Sequence, residues 1–137
     1  MEFELDLAPT DESITEICNG LIEHNSPFLN GITRKKVALY AQSEGKKVGG
    51  VTADIFGHWL QINYLWVDQS VRSSGVGSQL LQQLESHAKS KGCHSSMVDT
   101  FSFQAKPFYE KNGYVCQMTL DNCPVEHSRY FFTKVLG

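Results

Sequence analysis

A turn containing two glycines has the residue types that most clearly suggest chemistry: Arg72-Ser73-Ser74-Gly75-Val76-Gly77-Ser78. It follows an apolar run at residues 60–67, which predicts a strand, and it precedes apolar residues spaced three to four apart, which predict a helix to about Lys91. The first turn of a helix has unpaired backbone N–H groups and the positive end of the helix dipole, and glycines let the backbone approach a bulky anion. The turn therefore predicts a phosphate or pyrophosphate site.

Two well-known phosphate loops do not match this turn. The Walker pattern requires a Gly-Lys-Ser/Thr ending, which the sequence lacks. The dinucleotide-binding pattern requires a third glycine where Leu80 stands. A nucleotide-binding α/β protein of either kind is therefore disfavoured.

A different family signature does match. Arg72, Gly75 and Gly77 fit the Arg/Gln-x-x-Gly-x-Gly/Ala pattern of the GNAT superfamily of acyl-CoA N-acyltransferases. A downstream block, residues 105–114 (Ala-Lys-Pro-Phe-Tyr-Glu-Lys-Asn-Gly-Tyr), resembles the family's Ala-x-x-Phe-Tyr-x-Lys-x-Gly-Phe/Tyr segment. The resemblance extends over residues 47–136. It implies a single-domain α/β (α+β) GNAT fold over residues 1–137, in which helices flank a mixed, mostly antiparallel central sheet with a parallel, splayed strand pair.

The resemblance also implies the reaction and the cofactor. A GNAT enzyme transfers the acetyl group of acetyl-CoA to a primary amine, and we expect direct transfer in a ternary complex. The turn would present backbone N–H groups to the pyrophosphate, and the end of the preceding strand would pair with the pantetheine amides. Ser102 stands where many relatives have an asparagine that contacts the cofactor. The residues expected to bind the cofactor are Leu65, Trp66, Val67, Arg72, Ser74, Gly75, Val76, Gly77, Ser78, Ser102 and Tyr109.

Tyr109 is the candidate catalytic acid. Its phenol, with an unperturbed pKa near 10, can stay protonated at neutral pH and donate its proton to a departing thiolate. By resemblance it also stands at the position of the family's general-acid tyrosine. A Phe-Tyr pair on a short helix is also a common packing feature, which is the alternative interpretation.

The base is harder to assign. An alkylammonium has a pKa near 10.4, so a group of the protein or a water must accept its proton. Relatives often place a glutamate on the strand before the turn, where this sequence has Gln61 and Asn63, side chains that could only hold a water. Four other residues remain open as bases: Asp99, His58, His127 and Glu126.

The acceptor side rests on resemblance alone. In GNAT proteins the segment corresponding to residues 28–33 commonly helps to form the acceptor site, so Phe28, with Leu29 and Asn30, is expected to contact substrate, as are Asn63 and Asp99. A simple connector is the alternative for that segment. The short chain without added recognition domains favours a small-molecule amine, and a peptide amine stays open.

Composition excludes several other classes. The chain of 137 residues fits one domain, and its net charge of −3 offers no reason to bind nucleic acid or an anionic membrane. The four cysteines form no Cys-x-x-Cys pair, so we expect free thiols and no metal site. No secretion signal or membrane-length apolar run is apparent, which predicts a cytoplasmic location. An exposed strand edge could support a homodimer, and a non-catalytic acyl-CoA-binding sensor or partner domain is the alternative function.

The remaining patterns predict the elements that must position these residues. Alternating apolar residues predict a strand at residues 3–7, and a helix capped by Thr10 or Asp11 should run to about His24. Residues 28–33 could be a short helix or a loop. Strands are expected at residues 37–42, 47–55, 95–100, 114–120 and 128–135, and a second short helix from Ser102 or Phe103 to about Asn112.

Overall fold

The computed structural model describes residues 1–137, which divide into two compact units, residues 1–32 and residues 33–137. The first unit contains helix α1, Asp11–Asn25. Thr10 caps this helix, as predicted, because its Oγ1 accepts a hydrogen bond from the Ser13 backbone N–H at 3.1 Å. Residues 28–33, for which the sequence allowed a short helix or a loop, form turns and contain no helix.

The strand predicted at residues 3–7 is wrong. No strand forms there, and the side chains of Phe3, Leu5 and Leu7 are exposed. A strand needs a neighbour to pair its backbone N–H and C=O groups. All strands of the sheet come from residues 34–135. Residues 3–7 pair with none of them, so their alternating apolar pattern does not produce a strand.

The second unit is built on a six-stranded mixed sheet with the order β1-β2-β3-β4-β6-β5. Only β3 and β4 pair in parallel, and every other neighbouring pair is antiparallel. Helix α2 connects the parallel pair. The mixed sheet with helices confirms the predicted fold class. The elements of this unit are β1 (Arg34–Ser43), β2 (Lys46–Phe56), β3 (Trp59–Val67), α2 (Val76–Ser90), β4 (Ser95–Phe101), α3 (Lys106–Lys111), β5 (Val115–Leu120) and β6 (Arg129–Val135).

Local turn chemistry determines the first three strands. Glu44 and Gly45 both have positive φ, 52° and 77°, as a two-residue hairpin turn of the right twist requires. The glycine at position 49 marks a close backbone approach, because a Cβ there would lie 3.1 Å from the carbonyl oxygen of Trp66. The register of this hairpin shifts beside Gly49: Ala41 pairs with Gly49 and Gln42 with Lys47, so Val48 is the extra residue in β2.

Helix α2 covers one face of the sheet. Its apolar stripe, predicted from the spacing, is buried against side chains of β2 and β3, and each leucine of the stripe contributes roughly 1.5–3 kcal/mol when fully buried. The stripe consists of Leu80, Leu81, Leu84 and Ala88. Gly92, with φ +95°, ends the helix region as expected. None of the helices has the length and hydropathy that crossing a membrane would demand.

Helix α3 begins later than predicted, at Lys106 rather than at Ser102 or Phe103. Pro107 explains the difference, because proline is tolerated in the first turn of a helix and disrupts its interior. The preceding residues form a turn instead, in which the Gln104 side-chain oxygen accepts a hydrogen bond from the Phe101 backbone N–H at 2.8 Å.

Candidate active site

The N-terminus of α2 presents unpaired backbone donors. Gly75 is the cap residue, with φ +85°, and no side chain caps the helix. The first intrahelical bond runs from the Gln79 N–H to the Gly75 carbonyl at 3.0 Å, so the N–H groups of residues 76–78 precede the helical ladder. A Cβ built on Gly75 would meet no atom within 4 Å, so the space in front of the turn is open. Open space, free N–H donors and a helix dipole fit a pyrophosphate.

Two side chains of the turn are engaged with the strand before it. The Arg72 Nε donates to the carbonyl oxygen of Val67, the last residue of β3, at 3.2 Å. The Ser74 hydroxyl donates to the carbonyl of Val71. These contacts fix the turn against the end of β3, so an anion at this turn would meet the backbone N–H groups of the turn and the positive charge of Arg72.

The two sequence blocks that resemble the GNAT signature lie against each other. A Cβ on Gly77 would approach Cε1 of Phe108 to 3.1 Å, so glycine permits close contact between α2 and α3. The Asn112 side-chain amide also donates to the Ser78 hydroxyl at 3.2 Å. Asn112 was not singled out in the sequence, although it belongs to the second block. The second block thereby supports the first turn of α2.

The parallel strands β3 and β4 part after a short ladder. They pair only at Trp59–Ser95, Leu60–Ser96 and Gln61–Met97, although β3 continues to Val67 and β4 to Phe101. Beyond Gln61, β3 therefore has no strand partner on its β4 side. A separation of this kind is the splayed pair that the resemblance implied. It leaves backbone amide and carbonyl groups near Leu65, Trp66 and Val67 for an extended amide-containing ligand.

Tyr109 lies on α3 with its side chain almost fully buried, only 5% exposed. Its ring packs near those of Tyr114 and Phe132, with centroids 5.7 and 6.0 Å away. Burial, together with the negative charge of Asp99, raises the pKa of Tyr109 to about 12. A phenol held in this way stays protonated at neutral pH and can donate its proton.

Several other predicted site residues have structural partners. The Ser102 hydroxyl accepts from the Ser128 backbone N–H at 3.0 Å, so it joins the end of β4 to the loop before β6. Asp99 forms an ion pair with Arg129, whose Nε and terminal nitrogen lie 2.8 and 2.7 Å from the same carboxylate oxygen. Phe28 is exposed in the turns that follow α1, and its substrate role stays a prediction.

Most of the candidate bases, and Gln61, already form hydrogen bonds or ring contacts within the chain. His58 bonds through Nδ1 to the Gly92 carbonyl at 2.9 Å and stacks on His94. His127 packs edge-on against Phe103, with ring centroids 4.7 Å apart. Gln61 accepts from Arg34 at 3.2 Å. Glu126 is exposed in the loop before β6.

The structure adds one carboxylate that the sequence interpretation missed, Asp54 on β2. Its side chain is only 13% exposed. Its Oδ2 accepts a hydrogen bond from the Asn63 amide at 3.1 Å and lies 3.5 Å from the guanidinium of Arg34. The sequence could have indicated Asp54, because a tight turn at residues 57–58 places it directly opposite Gln61 on the neighbouring strand.

Comparison with known proteins agrees with this geometry. A sequence model of the Acetyltransferase (GNAT) family matches residues 9–114. A blasticidin-S acetyltransferase from Streptomyces morookaense is 32% identical over 125 residues, which are 83% of this chain and 92% of that protein. The crystal structure of an acetyltransferase from Bacillus cereus ATCC 14579 superposes with a TM-score of 0.87 at 39% identity, over 96% of this chain and 97% of that one.

A more distant structure shares the fold. An aminoglycoside 6'-N-acetyltransferase complexed with coenzyme A superposes with a TM-score of 0.67 at 18% identity, over 93% of this chain and 82% of that one. At this identity the likeness concerns the arrangement of helices and strands alone.

Proposed function

Because this chain belongs to the GNAT family of acetyltransferases, we propose that it transfers the acetyl group of acetyl-CoA to a primary amine of a small molecule, directly, within a ternary complex. Family membership gives the reaction class, acetyl transfer. The cofactor, the acceptor class and the direct mechanism are the proposed part.

One observation carries the proposal: the uncapped N-terminus of α2 adjoins a parallel strand pair whose ladder ends at Gln61. The first feature suits a pyrophosphate and the second suits a chain of amides, and coenzyme A contains both in one molecule. The residues that would hold it are the backbone of residues 74–78, the charge of Arg72 and the backbone of residues 65–67. The structural contact of the Ser102 hydroxyl makes its cofactor role the weakest of the proposed set.

When bound, acetyl-CoA would supply an activated acetyl group: the amine forms a C–N bond to the acetyl carbon, the C–S bond breaks, the amine loses a proton and the sulfur gains one. Tyr109 would provide the proton for sulfur, because its phenol is protonated at neutral pH. A backbone N–H of residues 65–67 would stabilise the negative charge that develops on the carbonyl oxygen.

A small-molecule acceptor is favoured by the relatives. The Streptomyces morookaense protein is named for an acceptor of this kind, blasticidin-S, and it matches most of this chain. We therefore extend the small-molecule acceptor to this protein as part of the proposal.

The proposal is tested by thermal unfolding with acetyl-CoA, CoA, ATP and NADH, each at the same concentration. A ligand at a hundred times its dissociation constant stabilises by about 2.7 kcal/mol, which for a domain of this size raises Tm by roughly 5–10 °C. We expect a rise with acetyl-CoA and CoA and none with NADH. Equal shifts with NADH, or none with either coenzyme A species, would contradict the cofactor assignment.

A second measurement separates the enzyme from the non-catalytic alternative. Thiol release from acetyl-CoA is followed with a panel of primary amines that includes an aliphatic diamine, an amino sugar and an amino-acid amide. Turnover that depends on the amine supports the transferase. Tight acetyl-CoA binding without thiol release for any amine would instead favour an acyl-CoA-binding sensor.

A further inference from the structure

The sheet face opposite α2 carries a cavity of about 450 Å³ beside the splayed strands. Side chains alternate along β2, so Val51 and Ala53 point into the core while Thr52 and Asp54 point to the other face. The cavity is bordered by residues from three neighbouring strands: Lys36, Val37, Ala38, Thr52, Ala53, Asp54, Asn63 and Tyr64.

Two polar atoms of this lining are buried and unsatisfied. The Thr52 hydroxyl oxygen and Oδ1 of Asp54 have no hydrogen-bond partner within the chain. The other carboxylate oxygen of Asp54 is engaged by Asn63 at 3.1 Å and by Arg34 at 3.5 Å. Buried polar atoms nearly always have a partner, and an unpaired one destabilises the fold, so this carboxylate oxygen retains the capacity to accept a further hydrogen bond.

The position of Asp54 relates this cavity to the transfer site. On one side of β3, Gln61 pairs with Asp54, and on the other side the same residue pairs with Met97 at the last rung of the parallel ladder. Adjacent strands lie about 4.8 Å apart, so Asp54 lies one strand away from the point where β3 and β4 separate. A register shift in β3 between Ile62 and Tyr64 leaves Asn63 in contact with Asp54.

We propose that Asp54 binds the ammonium group of the acceptor and then takes its proton, with Thr52 as a second polar contact. This inference rests on the proposed function and names the base that the sequence left open. An aliphatic ammonium supplies several N–H donors and a positive charge, which match an unpaired carboxylate oxygen beside a hydroxyl. The substrate class is therefore a small aliphatic primary amine that is cationic before it reacts.

The protons balance in this scheme. One proton passes from the ammonium nitrogen to the Asp54 carboxylate, which frees the lone pair that forms the C–N bond. The nitrogen loses its second proton to solvent after the bond has formed, and Tyr109 protonates the sulfur as the C–S bond breaks. Both side chains then return to their starting states by exchange with water.

The competing carboxylate is less suited to this role. Asp99 receives two nitrogens of Arg129 on one oxygen, within 2.8 Å, in a compact ion pair. Asp54 has a looser pairing with Arg34, at 3.5 Å, and one oxygen without any partner. An incoming ammonium can therefore bind Asp54 without first displacing a close guanidinium.

The test compares Asp54→Asn with the matched control Arg34→Gln, which removes the cationic partner but keeps the carboxylate. With the amine of highest wild-type turnover, Asp54→Asn should lower kcat/KM by about 10²- to 10⁴-fold, the usual contribution of a general base. The Tm rise with acetyl-CoA should be unchanged, which shows that the fold and the cofactor site are intact. Arg34→Gln should keep kcat/KM within a few-fold of wild type.

A second variant keeps the inference testable if Asp54→Asn folds poorly. Thr52→Val has nearly the same shape and removes only the unpaired hydroxyl, so it should raise KM for the amine several-fold while kcat changes little. An unchanged KM in Thr52→Val, or kcat/KM within three-fold of wild type in a folded Asp54→Asn protein, would overturn the inference. An equal loss in Arg34→Gln would also overturn it, because the carboxylate would then act through the ion pair.

Failure of the proposed function has a different signature. In that case the wild-type protein itself would show no acetyl-CoA stabilisation or no amine-dependent thiol release, and the inference would fail with it. Wild-type turnover together with near-normal Asp54→Asn turnover would remove Asp54 alone and leave the acetyltransferase intact.

Discussion

The turn at Gly75 offers backbone N–H groups from consecutive residues, whereas the cavity at Asp54 is lined by side chains from three strands. The first region needs only a helix start, two glycines and open space. It therefore suits a pyrophosphate, a group that many proteins bind at a helix N-terminus. The second region has a particular charge and particular polar atoms, so it suits one class of acceptor. Under the proposed function, cofactor binding would depend on backbone geometry, and acceptor choice would depend on the pairing of strands distant in sequence.

We expect the largest effect from a substitution that blocks the turn at Gly75. Gly75→Glu would place a carboxylate at the position proposed for the pyrophosphate and would also force a non-glycine residue to φ +85°. We expect the Tm rise with acetyl-CoA and CoA to disappear and turnover to fall below detection. Circular dichroism and Tm without ligand check that the protein is folded.

Gly75→Asn is the matched control, because asparagine tolerates the left-handed region and carries no charge. It should retain most of the coenzyme A stabilisation. Coenzyme A binding by a folded Gly75→Glu protein with normal affinity would remove this turn as the anion site.

The next effect separates chemistry from binding at Tyr109. Tyr109→Phe removes the proton donor and keeps the ring that packs near Tyr114 and Phe132. We expect kcat to fall by about 10²- to 10⁴-fold, while the affinity for CoA, measured by calorimetry, changes little. Near-normal turnover in this variant would exclude Tyr109 as the acid.

Tyr114→Phe provides the contrast, because the Tyr114 hydroxyl holds a structural network. It donates to Glu85 at 2.8 Å and lies 2.8 Å from the Ser96 hydroxyl, and Lys134 pairs with the same carboxylate group. Its loss should lower the free energy of unfolding by about 1–3 kcal/mol, measured in urea, because buried partners are left unsatisfied. kcat at a temperature where the variant is folded should stay close to that of the wild type.

The raised pKa of Tyr109 predicts the shape of the alkaline pH profile. In the proposed mechanism the neutral phenol of Tyr109 is the active form, and burial raises its pKa to about 12, so it stays protonated well above neutral pH. We expect kcat, measured with saturating amine, not to decline between about pH 8 and pH 10 in the wild type. A decline with a midpoint near 9 in the wild type, absent in Tyr109→Phe, would show that the phenol titrates much lower than its burial implies.

The smallest expected effect concerns Ser102, whose hydroxyl accepts from Ser128. Ser102→Ala should cost about 0.5–1.5 kcal/mol of stability through this hydrogen bond and should change the KM for acetyl-CoA by less than about three-fold. A ten-fold rise in that KM with little loss of Tm would instead assign Ser102 to the cofactor.

Local patterns in the sequence determined the turn at Gly75 and the helix that follows it. The apolar period of three to four residues predicted α2, and the glycines at its start predicted the open turn, because both depend on near neighbours in the chain. The strands predicted at residues 37–42 and 47–55 also rested on local patterns, and both are present as β1 and β2. The resemblance to GNAT proteins added the splayed strands, and the short β3–β4 ladder bears this out.

Only the tertiary structure showed which segments pair as strands and which side chains this pairing brings together. The alternating residues at 3–7 form no strand, because a strand exists only where a neighbour pairs its backbone. Asp54 lies far from the glycine turn along the chain and belongs to no motif, yet strand register places it opposite Gln61 beside the opening between β3 and β4. The surroundings of the Asp54 side chain are set by the neighbouring strands, which are distant in sequence. The first turn of a helix, in contrast, has unpaired N–H donors in its own backbone.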